Sequence, residues 1–276
     1  LASPLWGVPD RAMARPGLAD SMSPGRWEDM LLDDAPAARV EFFGRTPPRE
    51  QMYFRGPVFS DYDGRTWSRA REAGVYETPE ARSVGQTWEY AISLEPTDRR
   101  QLVALDMPLL APAGTDFDGD RSLRAGRPLD AVSRWRMRSG RVASFEEALP
   151  PAVRRRNLQL PDGFNPRTVA LARQWRQEAG ADDRAVVNRM LNWIRSDFGY
   201  TLQISLAGRD AVDQFLFVDK RGYCEQFSSS FVVAMRAAGI PARVVGGYAG
   251  AEYNPLGKYW IVRRSDAHAW AEVWLP

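Results

Sequence analysis

The apolar positions change period about halfway along the chain. Up to residue 145 they fall in short runs. Residues 39–43, 51–55, 87–94, 102–105 and 133–138 are each rich in β-branched, aromatic or other apolar side chains. Thr87 to Leu94 alternates with period two, as a half-buried strand does. Turn residues recur between the runs: Thr46-Pro47-Pro48-Arg49, the Asp63-Gly64 pair, and Asp116-Phe117-Asp118-Gly119-Asp120. An Asp-Gly pair is the strongest short hairpin signal. Many short strands with frequent turns predict a β-sandwich or barrel-like domain over residues 1–155.

Proline and glycine cluster between Leu149 and Gly163, and the period then becomes helical. Asn165 and Pro166 suit the cap and first position of a helix that carries Thr168, Leu171, Ala172 and Trp175 on one face and stops at Gly180. A second helix is predicted from Asp182, with Val187, Met190, Leu191, Ile194 and Phe198 on one stripe. A third is predicted after Cys224, where Phe227, Phe231 and Met235 recur every four residues until Gly239 and Pro241 end the pattern. The last stretch alternates again, with His268, Trp270, Glu272 and Trp274 on one face and Ala269, Ala271, Val273 and Leu275 on the other. The chain reads as α+β, with a β-rich domain over 1–155 and a mixed domain over 156–276.

The 276 residues are 44% hydrophobic and 11% aromatic, which supports a core and excludes a disordered or low-complexity chain. The 37 basic residues nearly balance the 35 acidic ones, for a net charge of +2, so charge does not point to a nucleic-acid partner. No apolar run reaches the roughly 18 residues a membrane span needs. No signal-peptide pattern opens the chain. It begins at Leu1 and ends at Pro276 directly after a strand pattern, which reads as a piece of a longer protein. One cysteine and one histidine exclude an internal disulfide, a multi-cysteine zinc site and two-histidine metal motifs, and no metal or cofactor is expected. Asp116, Asp118 and Asp120 mimic a calcium loop, but the glycine sits one place early and no closing glutamate follows. That pattern reads as a solvated turn.

The single cysteine and single histidine both fall in the most patterned part of the chain. Cys224 follows the Gly222 turn and opens a helix. Unpaired N–H groups and the helix dipole favour an anion there, which predicts a lowered thiol pKa and a place for an oxyanion at the same N–H groups. A lone cysteine is otherwise a buried structural residue. His268 enters the last strand, where a base for that thiol would stand; the other reading is a packed core histidine.

Gly222-Tyr223-Cys224-Glu225, the run from Met235 through Gly239-Ile240-Pro241 to Tyr248, and Asp266-Ala267-His268-Ala269-Trp270-Ala271-Glu272-Val273-Trp274 together resemble the transglutaminase-like core, a superfamily with a papain-like fold. Ala14-Arg15-Pro16-Gly17-Leu18-Ala19-Asp20-Ser21-Met22-Ser23-Pro24-Gly25 resembles the start of the periplasmic domain of the bacterial membrane-anchored TgpA-type transglutaminases. The resemblance covers nearly the whole chain. It implies acyl transfer from a glutamine side chain to an amine through a Cys224 thioester, with His268 as base. A cysteine hydrolase, peptidase or deamidase, is the alternative on the same core. The implied partners are a glutamine-containing protein or peptide and a primary amine. The implied location is the periplasm, in a domain of an inner-membrane protein that meets the membrane only through flanking segments absent from this chain. The family's third catalytic residue is an aspartate on the strand after the histidine strand. This chain stops before it, so the core is expected to be truncated at its C-terminus and its activity impaired. Asp266 either replaces that aspartate or shapes the turn into the strand. Glu225 either orients His268 or caps the helix. Trp260, Trp270 and Trp274 either wall an acceptor channel or pack in the core.

Overall fold

The computed structural model describes residues 17–23, 25, 27–70, 81–145, 149–204 and 208–275. In chain order these form β1 (Ser21–Met22), α1 (Glu28–Leu31), β2 (Pro36–Phe43), β3 (Tyr53–Phe59), β4 (Asp61–Tyr62), β5 (Trp67–Ser68), β6 (Ala81–Leu94), β7 (Ala104–Leu105), β8 (Met107–Pro108), β9 (Thr115–Phe117), β10 (Leu123–Ala125) and β11 (Ser133–Phe145). The second half forms α2 (Pro151–Arg156), α3 (Pro166–Ala179), α4 (Asp183–Asp197), β12 (Gly199–Tyr200), α5 (Ala211–Gln214), β13 (Arg221–Gly222), α6 (Cys224–Ala237), β14 (Ala242–Ala249), β15 (Glu252–Asn254), β16 (Tyr259–Arg263) and β17 (Ala267–Val273). The architecture is α+β. Of the N-terminal motif Ala14 to Gly25, residues 14–16 and 24 lie outside the described residues.

Two larger sheets organise the molecule, one in the order β15-β16-β2-β6-β11-β8 and one in the order β17-β14-β3-β7. Strands give way to helices near residue 150, yet each of these sheets takes strands from both sides of that point. β2 pairs with β16, and β3 pairs with β14, both antiparallel. The first half therefore supplies part of the scaffold on which the last strand rests.

Local signals explain most elements. In the β4–β5 hairpin the Asp63 carboxylate accepts the N–H groups of Arg65 and Thr66 at 2.9 and 2.7 Å, an Asx turn closed by Gly64 at φ 106°. The run 51–55 is a strand only from Tyr53. Residues Arg49–Gln51 instead wind into a single 3₁₀ turn, with Gln51 and Met52 N–H bonded back to Pro48 and Arg49. Pro48 presets the turn by fixing its own φ. In the aspartate-rich turn the Asp118 carboxylate is occupied by Arg69, Arg124 and Ser122.

Close approach sets the composition of β14. A Cβ on Gly247 would lie 2.2 Å from the Phe54 carbonyl and 2.6 Å from the Trp270 ring, and one on Gly246 would lie 2.9 Å from Trp27. The two glycines let β3 and two indole rings lie directly on the strand.

Asn165 occupies the N-cap position of α3 but does not cap it. It sits at φ 50° and its side-chain oxygen accepts from the N–H groups of Val212 and Asp213. The cap comes from Asp213, whose carboxylate accepts from Arg167 N–H, Thr168 N–H and the Thr168 hydroxyl at 2.6–2.9 Å. The two residues have exchanged roles between α3 and α5. Asp182 caps α4 through Ala185 N–H, as its type predicts.

Helix α6 runs through the core and is buried on nearly all sides, which explains an apolar pattern broader than one stripe. Arg236, 3% exposed, locks its end in place. Its guanidinium donates to the carbonyls of Ala242, Gln159 and Ser60 at 2.8–2.9 Å and lies over the Trp67 ring. One side chain thus ties α6 to the first half, to the helical region and to β14.

Candidate active site

The turn into α6 is tight. A Cβ on Gly222 would lie 3.0 Å from the Phe215 ring and 3.1 Å from Gln226. The Gln226 side chain then reaches back to accept the Tyr223 N–H at 3.0 Å. Cys224 follows as the first residue of the helix, 2% exposed. Burial is the main influence on its thiol and pushes the pKa up to about 11. The N–H groups of Ala269, Glu225 and Cys224 itself pull it down, and the Glu225 charge pushes it up. The lowered value expected from the helix start is therefore overturned. The N–H groups are present, but desolvation of the thiolate outweighs them.

Helix α6 packs against β17, and the Ala269 N–H at the thiol belongs to the residue after His268. One helix-on-strand contact thus brings the elements that carry the sole cysteine and the sole histidine together. Burial holds the His268 pKa below its usual value. Burial thus favours the neutral form of each group, thiol and imidazole. The imidazole meets the Tyr53 ring edge-on with centroids 6.3 Å apart, and Tyr53 meets Trp270 in the same way at 5.6 Å.

A cleft of about 350 Å³ opens along this face of β17, lined by Tyr53, Arg55, Asp106, Arg141, Trp270 and Glu272 among others. Trp270 is the tryptophan of the three that lines it. Trp260 lies on β16 in the other sheet, against Tyr253. Trp274 lies under the Arg243 guanidinium at 4.5 Å. Asp266 belongs to a 3₁₀ turn, where its carboxylate accepts the Arg263 N–H at 2.8 Å. Glu225 is fully buried and accepts from Gly25 N–H at 3.0 Å and from the Tyr223 hydroxyl at 2.8 Å. It thereby ties the N-terminal segment to the start of α6.

Sequence reasoning did not reveal the ion cluster in the wall of the cleft. Glu272 accepts from Arg55 of β3 at 2.9 and 3.2 Å and from Arg243 of β14 at 2.7 Å. Burial alone would raise the carboxyl pKa, but the two guanidiniums overcome it and hold the value near 2. Alternation had placed Glu272 on the His268 face, whereas its partners lie on two other strands.

Fold and site define a transglutaminase-like protein. Residues 169–276 match the transglutaminase-like superfamily and residues 1–146 match the TgpA N-terminal domain. The chain belongs to the TgpA family of transglutaminase-like proteins and is a periplasmic domain of that family. It is 38% identical to a protein-glutamine gamma-glutamyltransferase of Pseudomonas aeruginosa over 99% of its own length and 41% of the relative's. It is 29% identical to the uncharacterized protein YebA of Bacillus subtilis over 83% of its length and 36% of that protein's. The chain thus spans about two fifths of the length of these relatives. Crystal structures of the periplasmic domain of Pseudomonas aeruginosa TgpA superpose with TM-scores of 0.90 and, bound to ethylmercury, 0.89. Identity is 38% in both, with 95% and 94% of this chain and 91% and 92% of those chains covered. Among the described residues no helix is long and apolar enough to cross a membrane.

Proposed function

We propose that this chain carries the acyl-transfer centre of a membrane-anchored protein-glutamine gamma-glutamyltransferase, with Cys224 as nucleophile and His268 as acid and base. The observation that carries the reading is the placement of the Cys224 thiol at the head of α6, against the N–H that follows His268 on β17.

His268 takes the thiol proton as the sulfur attacks the carboxamide carbon of a glutamine side chain. The C=O electron pair moves onto oxygen, and the resulting oxyanion accepts the Cys224 N–H. Collapse of this intermediate breaks the C–N bond. His268 returns its proton to the leaving nitrogen, ammonia departs, and a thioester remains. An amine entering along the cleft face then attacks the thioester, His268 accepts its proton, and the thiol is restored with an isopeptide bond formed. The neutral imidazole favours both proton acceptances. A thiol that is protonated before attack fits a proton transfer to His268 that accompanies attack.

The test offers a glutamine donor and a labelled primary amine and follows ammonia and label together. Ammonia with stoichiometric label supports transfer, and ammonia without label supports hydrolysis at the same thioester. Ammonia release undiminished in Cys224→Ala would refute both.

A further inference from the structure

Cys224 N–H is one donor to an oxyanion, and a tetrahedral intermediate of acyl transfer is held by at least two. The donors around the first turns of α6 are mostly spoken for. The Tyr223 hydroxyl donates to Glu225, Trp67 Nε1 donates to Ser229, and the Ser228 hydroxyl donates to the Cys224 carbonyl. Tyr200 is different. It ends β12, which pairs in parallel with β13 so that Tyr200 lies opposite Gly222, two residues before the nucleophile. The register is fixed by Gly199 N–H to Lys220 O at 2.9 Å and Thr201 N–H to Gly222 O at 2.8 Å. The ring lies parallel to Phe227, 6.3 Å between centroids and 7° between planes, at the first turn of α6. The hydroxyl interacts with both the Cys224 N–H and its thiol. The residue is 61% exposed and so borders the nucleophile from the solvent side.

We propose that the Tyr200 hydroxyl is the second donor of the oxyanion hole, a role that rests on the acyl-transfer reading above. The pairing opposite Gly222 and the stacking on Phe227 hold the phenol beside the head of α6, within reach of the place the substrate oxygen will take. When sulfur attacks, the new oxyanion takes the Cys224 N–H, and the phenol turns its O–H toward the same oxygen. No proton changes owner in this contact; the phenol stabilises charge that develops only as the carbon becomes tetrahedral. Burial, then the neighbouring thiol, keeps the phenol pKa above its ordinary value, so the O–H is intact at neutral pH. The exposed ring has room for the small swing this requires.

The test compares the chain with Tyr200→Phe, a change that leaves the stacked ring and the exposed position intact. A peptide aldehyde isosteric with a glutamine donor adds to Cys224 as a hemithioacetal. The S–C bond forms, the thiol proton ends on the aldehyde oxygen, and that oxygen occupies the oxyanion site. Iodoacetamide alkylates the same thiol by displacement at a saturated carbon and uses no oxyanion site. Loss of one donor is worth about 10²–10³-fold. The expected result is adduct affinity lower by about that factor in Tyr200→Phe, with the alkylation rate within a few-fold. Equal aldehyde affinity in both proteins would overturn the assignment. A parallel loss of alkylation would overturn it too, because it would show that the hydroxyl merely keeps the helix start in shape. If the unaltered chain is alkylated at Cys224 yet forms no adduct, the acyl-transfer reading itself fails and takes this inference with it.

Discussion

Replacing Glu272 with glutamine should loosen the sheet that carries His268. The carboxylate joins three neighbouring strands, β17 through its own backbone, β3 through Arg55 and β14 through Arg243. The two arginine side chains are only 4% and 2% exposed. The carboxyl pKa falls from its ordinary 4.5 to about 2, which at about 1.4 kcal/mol per pH unit corresponds to roughly 3 kcal/mol of stabilisation. Removing one partner of a buried pair costs about 3–5 kcal/mol, because the remaining charges lose their compensation. A quarter of the Glu272 side chain reaches solvent, which sets the expected loss at the lower end. For a chain of this size, 1 kcal/mol moves Tm by about 2–4 °C, so Glu272→Gln should melt roughly 6–12 °C lower at pH 7. The sign of the pH dependence follows from the lowered folded-state pKa. The stabilisation is fully present above the unfolded value of about 4.5 and is lost as pH falls toward 2. Calorimetric melts of both proteins from pH 7 to pH 2.5 read this out, and the gap between them should narrow over the acid part of that range. A variant that melts within a degree of the parent at pH 7 would refute the ion-cluster account. So would a gap that stays constant down to pH 2.5.

Two further outcomes follow from packing and burial. Gly247→Ala should destabilise by about 1–3 kcal/mol or more, since its Cβ would fall 2.2 Å from the Phe54 carbonyl and 2.6 Å from the edge of the Trp270 ring; urea unfolding of the variant measures this, and near-parental stability would mean that β3 and β14 are not so closely apposed. The rate of Cys224 alkylation against pH should have its midpoint above the ordinary thiol value of about 8.5, because burial dominates its surroundings; a midpoint at or below neutrality would mean that the thiolate and imidazolium are already paired at rest.

The elements nearest the site were legible because their signals are local. Phe227, Phe231 and Met235 repeat once per turn and Gly239 and Pro241 follow them, so α6 could be read directly from the chain. Alternation from His268 onward likewise marked β17 and its site face. Partnership between distant segments was not legible. Nothing in the run Tyr53 to Phe59 says that it lies between β14 and β7, because a strand's period reports its faces and not its neighbours. The exchange of caps between Asn165 and Asp213 was hidden for the same reason: residue type indicates a capping ability but not which helix receives it. The direction of the thiol shift depended on two opposing influences. The helix start was visible in the sequence, while the larger influence, burial beneath β17, exists only in the assembled fold. Tyr200 carries no motif of its own, and its position comes from a two-residue pairing with the segment leading into Cys224.

The account stands most directly on whether Cys224 becomes acylated by a glutamine side chain. Incubating the chain with a glutamine-donor peptide in the absence of amine, quenching in acid and mapping the product by mass spectrometry measures this. The account predicts the peptide mass less ammonia, attached at Cys224, absent from Cys224→Ala and slower to appear in His268→Ala. A donor adduct on another residue would contradict it, as would ammonia released at the same rate by Cys224→Ala.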